Sequence, residues 1–221
     1  AACQADDVRI HGLRIRRSLP FFADVMGQPG FARGDDVMLP PLAKAAEPDI
    51  VFDDSYAFEV DGRRFECISV PGGETIDSLV VWLPDDGVAL VGNIFSALFG
   101  HFPNLVTMRG DRMRNALAFA DSVQTVIDLE PEMLLLGHHG PVRGRATVRS
   151  ECERIRDATR YVHDATVAAM NEGKDVWAAM HDIALPESLS VGEAYGRVDW
   201  SVRGRREHHL LHRAPALRDR P

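Results

Sequence analysis

Three glycine-bearing turns in this chain carry side chains able to donate electron pairs to a metal ion. They are Gly72-Gly73-Glu74, Gly92-Asn93 and Gly137-His138-His139-Gly140. Glu74 offers a hard carboxylate oxygen and His138 an imidazole nitrogen. Asn93 is the weaker donor, because a neutral amide cannot bridge two cations as an aspartate carboxylate does. His139 is an alternative ligand or a support for its neighbour. Taken singly, each is a turn residue of the kind usually left in solvent. Their recurrence at the ends of short apolar runs draws them together, since strand ends hold side chains rigidly and glycine lets backbone or ligand approach closely.

The elements that must position these turns can be read from hydropathy. Tyr56 to Val70 alternates around Asp61-Gly62, a two-residue signal for a hairpin. Leu79 to Leu83 and Val88 to Val91 form a second strand pair across Pro84-Asp85-Asp86-Gly87. Met113, Leu117, Ala120, Val123 and Ile127 recur at helical spacing, predicting a helix over 112–129 that packs on the sheet. Met133-Leu134-Leu135-Leu136 is the strand that delivers His138. Strands, a helix and a further strand make an α/β layered domain.

Past Gly144 the pattern is helical throughout. Val148, Cys152, Ile155, Thr159, Val162, Thr166 and Ala169 recur at steps of three and four, and Gly173 supplies the left-handed stop. Shorter helices are expected over 175–183 and from Pro186 to about Tyr195. One long amphipathic helix with short partners must cover the sheet domain or another subunit. Residues 7–26 place Val8, Leu13, Ile15, Leu19, Phe22 and Val25 between basic residues, predicting a helix or irregular cover, followed by a long loop to Pro48.

Composition sets the class. The 221 residues are 45% hydrophobic and 26% charged, which suits a soluble globular chain. The net charge of -8 argues against a general nucleic-acid binder, which needs a phosphate-neutralising face. The tail is the local exception, with six Arg between Arg203 and Arg220 against Glu207 and Asp219, which suits a solvated, frayed terminus or else contact with an anionic partner. Cys3, Cys67 and Cys152 are too widely spaced for a disulfide framework or a zinc knuckle. Cys67 and Cys152 fall in core patterns. No apolar run approaches the ~20 residues of a membrane helix. No signal peptide is visible, and a cytoplasmic location is expected.

The sequence resembles the metallo-β-lactamase fold superfamily, in its alkyl sulfatase-like branch with a helical dimerisation region after the catalytic domain. The resemblance rests on Pro71-Gly72-Gly73-Glu74-Thr75 with Asp77-Ser78-Leu79, on Gly92-Asn93, on Phe99-Gly100-His101-Phe102-Pro103-Asn104-Leu105, on Arg109-Gly110-Asp111-Arg112 and on Gly137-His138. Tyr161 to Asp164, Gly173 to Trp177, Leu185-Pro186 and Gly192 to Trp200 look like its helical part. It implies the second half of an αββα sandwich, as a partial domain over 1–144, then an all-α dimerisation region over 145–203 and an atypical tail over 204–221. It also implies a zinc-dependent hydrolase of a sulfate or related small ester and a homodimer. The zinc would be dinuclear, with Glu74, His138, Asn93 and His139 as candidate ligands. His101, Asn104 and Arg109 become candidates for substrate binding, Arg109 because a guanidinium matches an oxyanion edge. Arg109 and Arg112 equally suit a salt-bridged helix start around Asp111.

Two departures temper the expectation. The superfamily's His-x-His-x-Asp-His motif does not occur among the nine histidines. The chain opens at Ala1 in a stretch resembling the middle of such a domain, so an amino-terminally incomplete hydrolase is expected, with a catalytically inactive scaffold or dimerisation module as the alternative. Near the other end, Arg205 to Arg213 replaces the family's aromatic, glycine-containing segment.

Overall fold

The computed structural model describes residues 12–13, 48–73, 75–95, 99–103, 105, 114–138 and 140–191. Two compact units divide the chain, one of residues 1–53 with 104–114, the other of residues 54–103 with 115–221. In the first, the Arg114 N–H donates to the Leu105 carbonyl across 3.1 Å. The second holds the elements described below.

Its sheet has six strands in sequence order: β1 (Ser55–Val60), β2 (Arg63–Ser69), β3 (Leu79–Leu83), β4 (Val88–Gly92), β5 (Met133–Leu136) and β6 (Val142–Arg143). The expected hairpin is present, with Asp61 at φ 51° and Gly62 at φ 76°, the two left-handed residues that a type I′ turn requires. All pairs are antiparallel except β4 with β5, which run parallel. A parallel pair needs a crossover, and helix α1 (Ala116–Asp128) lies in it. The helix starts later than residue 112, because the Asn115 side chain accepts from the Leu117 and Ala118 N–H groups and caps it. The short β6 was not foreseen; two residues carry too little alternation to be read.

Alternation decides what each sheet face does. Val80, Ala89, Val91, Leu134 and Val142 are buried together on one face, while Phe58, Val60, Leu79 and Leu90 on the other keep over a third of their surface. The buried face is covered by helices. Helix α2 (Arg145–Asn171) contributes Val148, Cys152, Ile155 and Ala158, and α1 contributes Phe119, Ala120, Val123, Val126 and Ile127. Polar contacts join the two helices at their rim, Arg156 to Gln124 and Arg160 to Asp121. Burial pushes the Cys152 thiol far above its ordinary range, with Glu151 and Glu153 adding to the effect, so it stays protonated. Helix α2 closes at Glu172, and Gly173 (φ 74°) turns the chain towards α3 (Val176–Asp182), capped by Asp175. Beyond α3 a single 3-10 turn, Glu187–Leu189, stands where a longer helix was expected: Ser190 is already extended. Residues 192–195 of that expectation lie outside the described residues. Among the described residues no helix is long and apolar enough to cross a membrane.

Candidate functional site

The parallel pairing of β4 and β5 points both strands' carboxyl ends the same way, which sets Asn93 and His138 at one sheet edge. The register carries Leu136 opposite Gly92, and the Gly137 N–H donates to the Gly92 carbonyl across 2.8 Å. A register irregularity between Leu90 and Gly92 lets Gly92 take φ 51°, a conformation costly for side chains, and so re-aims the chain at Asn93. The volume that a Cβ on Gly137 would fill is occupied by the Asn93 Oδ1 atom. A larger residue at 137 would displace the Asn93 amide from this place. Asn93 and His138 are both exposed.

Beside Asn93 opens a cleft of about 410 Å³ lined by Thr75, Ser78, Leu79, Val91, Gly92, Asn93 and Ile94. Its hydroxyl wall is ordered from within. The Thr75 N–H donates to Ser78 Oγ at 2.9 Å, the Thr75 hydroxyl donates to the Asp77 carboxylate at 2.6 Å, and the two hydroxyls lie 3.1 Å apart. Leu79, Val91 and Ile94 supply the cleft's apolar part, and Asn93 a polar amide. The lining carries no formal charge among the described residues, so it suits the uncharged part of a ligand better than an anionic head.

Of the other residues singled out from the sequence, His101 is buried, with 5% exposed, and stands outside the cleft lining. Glu74, His139, Asn104 and Arg109 lie outside the described residues. Zinc has a specific requirement, four donors in tetrahedral array. Asn93 and His138 bring one amide and one imidazole, and among the described residues no group of three His, Cys, Asp or Glu is placed to hold a metal. The described donors do not by themselves fit a zinc site.

Two features of the site escaped the sequence reading. Ser122 on α1, with 3% exposed, holds the Gly72 turn. Its signal was a polar residue beside Val123 on the apolar stripe. Thr75 and Ser78 had the subtler signal of two hydroxyls bracketing an aspartate in a turn.

No family model matches the sequence. Over 161 residues the chain is 30% identical to the linear primary-alkylsulfatase of a Pseudomonas species, covering 71% of this chain and 30% of that protein. It is 24% identical over 148 residues to the alkyl/aryl-sulfatase BDS1 of Saccharomyces cerevisiae, covering 66% of this chain and 21% of the relative. The fold superposes on the stereoselective inverting sec-alkylsulfatase Pisa1 from Pseudomonas sp. with a TM-score of 0.58 and 22% identity, over 79% of this chain and 29% of that one. This chain is an alkyl sulfatase-like protein of the metallo-β-lactamase fold. This alkyl sulfatase-like chain spans under a third of the length of the curated relatives it matches.

Proposed function

We propose that this chain serves a metal-dependent hydrolase of sulfate esters or related small esters, through the Asn93–His138 edge and the cleft beside it. The observation that supports the reading is that Asn93 and His138 follow the paired carboxyl ends of two parallel strands, with the Asn93 amide over Gly137 and lining a cleft that also carries two hydroxyls and three apolar side chains. The names of the alkylsulfatase relatives add the ester class. In this reading Leu79, Val91 and Ile94 hold the alkyl part, and Thr75 and Ser78 offer hydrogen bonds near the ester oxygen. Arg109, His101 and Asn104 are kept as candidates for the anionic head on the sequence resemblance alone.

Zinc is the metal proposed, with Glu74 and His138 as ligands, Asn93 as a weaker one and His139 beside them. Donors beyond the described residues must complete the set. Held by these residues, an ion would supply a water of lowered pKa and charge neutralisation at an ester oxygen. We place the domain boundary at 144, with residues 145–203 as the region through which two copies pair.

The test is the zinc content of the purified chain after equilibration and exhaustive dialysis, measured by elemental mass spectrometry alongside Glu74→Ala and His138→Ala. Near-stoichiometric zinc, lost in both variants, is expected. No retained zinc in the wild type would refute the metal assignment and favour the scaffold or dimerisation module.

A further inference from the structure

The turn between β2 and β3 is closed by its own backbone and then tied to a helix fifty residues away. The Val70 N–H donates to the Ser78 carbonyl at 2.9 Å and the Gly73 N–H to the Val70 carbonyl at 3.0 Å. Between them the buried Gly72 N–H donates to Ser122 Oγ at 3.0 Å, and the Ser122 hydroxyl donates to the Ala118 carbonyl at 2.9 Å. A serine bonding back to the carbonyl four residues earlier is common in helices. That habit accounts for its proton, but the lone pair here serves a distant turn.

The turn cannot slide. A Cβ on Gly72 would overlap the Ala118 carbonyl and the Phe119 nitrogen, so the backbones of turn and helix are in direct contact. The next residue, Gly73, lies against two side chains of the cleft lining: a Cβ there would stand 3.0 Å from Ser78 Oγ and 3.1 Å from Ile94 Cγ1. A shift at Gly72 therefore reaches Ser78 and Ile94 through one residue.

We propose that Ser122 is the positioning residue of the cleft, holding the Gly72-Gly73 turn on α1 at the spacing a ligand needs. This rests on the reading of the cleft as the ester's binding site. The experiment uses the full chain, with Ser122→Ala and Ser122→Thr. Amide hydrogen exchange is followed by NMR, and hexyl sulfate is titrated against the amides of Thr75, Ser78 and Ile94.

In Ser122→Ala, Gly72 and Gly73 are expected to exchange at least about tenfold faster while Ile155 and Ala158 in α2 hold their rates. Hexyl sulfate binding should weaken about fivefold or more, a loss of about 1 kcal/mol, and Ser122→Thr, which keeps the hydroxyl, should recover both. Unchanged exchange at Gly72, or equal acceleration in α2, would overturn the tie. Faster turn exchange with unchanged affinity would overturn the positioning role and leave a structural bond. If hexyl sulfate moves no cleft amide in the wild type, the substrate reading fails and the positioning role with it, while exchange alone still decides whether Ser122 holds the turn.

Discussion

Replacing Gly72 by Ala tests the close approach of its turn to the backbone of α1. The added Cβ would meet the Ala118 carbonyl and the Phe119 nitrogen, both helix backbone, so no flexible side chain can swing aside. Either α1 or the turn must move, and in both cases the Gly72 N–H to Ser122 Oγ bond is stretched inside a buried region. Overpacking of this kind costs about 1–3 kcal/mol. A buried donor left without its acceptor adds about 1–3 kcal/mol. A combined loss near 4 kcal/mol, at about 2–4 °C per kcal/mol for a chain of this length, lowers Tm by about 8–16 °C. Gly140→Ala is the control: its Cβ meets nothing within 4 Å and its φ is not in the left-handed region, so stability should stay within about 0.5 kcal/mol. Thermal unfolding by circular dichroism or calorimetry measures both. A Gly72→Ala protein melting within about 1 °C of the wild type would refute the contact and the argument built on it.

Leu134, fully buried in β5, should lose about 2–5 kcal/mol on truncation to Ala, seen as a lower urea midpoint at unchanged slope. Cys152 makes stability fall at alkaline pH: the folded thiol is held protonated while the unfolded one ionises through its ordinary 9.0. Its contribution is therefore complete below pH 9.0 and is lost as pH rises above it, by about 1.4 kcal/mol per pH unit. Cys152→Ala should flatten that slope, and an unaltered slope would show that the thiol is not the group responsible. Residues 145–200 are expected to make the chain at least dimeric at micromolar concentration. Met170, Val176 and Trp177 expose apolar surface there, Trp177→Glu should favour the monomer, and a monomeric wild-type mass in sedimentation equilibrium would remove the idea.

The elements were legible because their information is local. Alternation from Tyr56 to Val70, the Asp61-Gly62 turn and the three-and-four spacing from Val148 to Ala169 each act over a few residues, and each became the expected element. Ends were less legible, since Asn115 capped α1 later than its apolar pattern began and one 3-10 turn replaced a helix after Pro186. The sequence also singled out Asn93 and His138 by type, from their place after apolar runs. What it could not determine was their adjacency, because pairing β4 with β5 joins segments about forty residues apart. That pairing depends on the crossover and on burial of Ala89 and Leu134 against the helices. Gly137 illustrates the difference: as a letter it was a turn former, whereas in the fold it is the space into which Asn93 fits. Ser122 drew no reading from the sequence, because only the approach of a distant turn gives its lone pair a partner. Local propensity set the elements; long-range packing decided which side chains share the site.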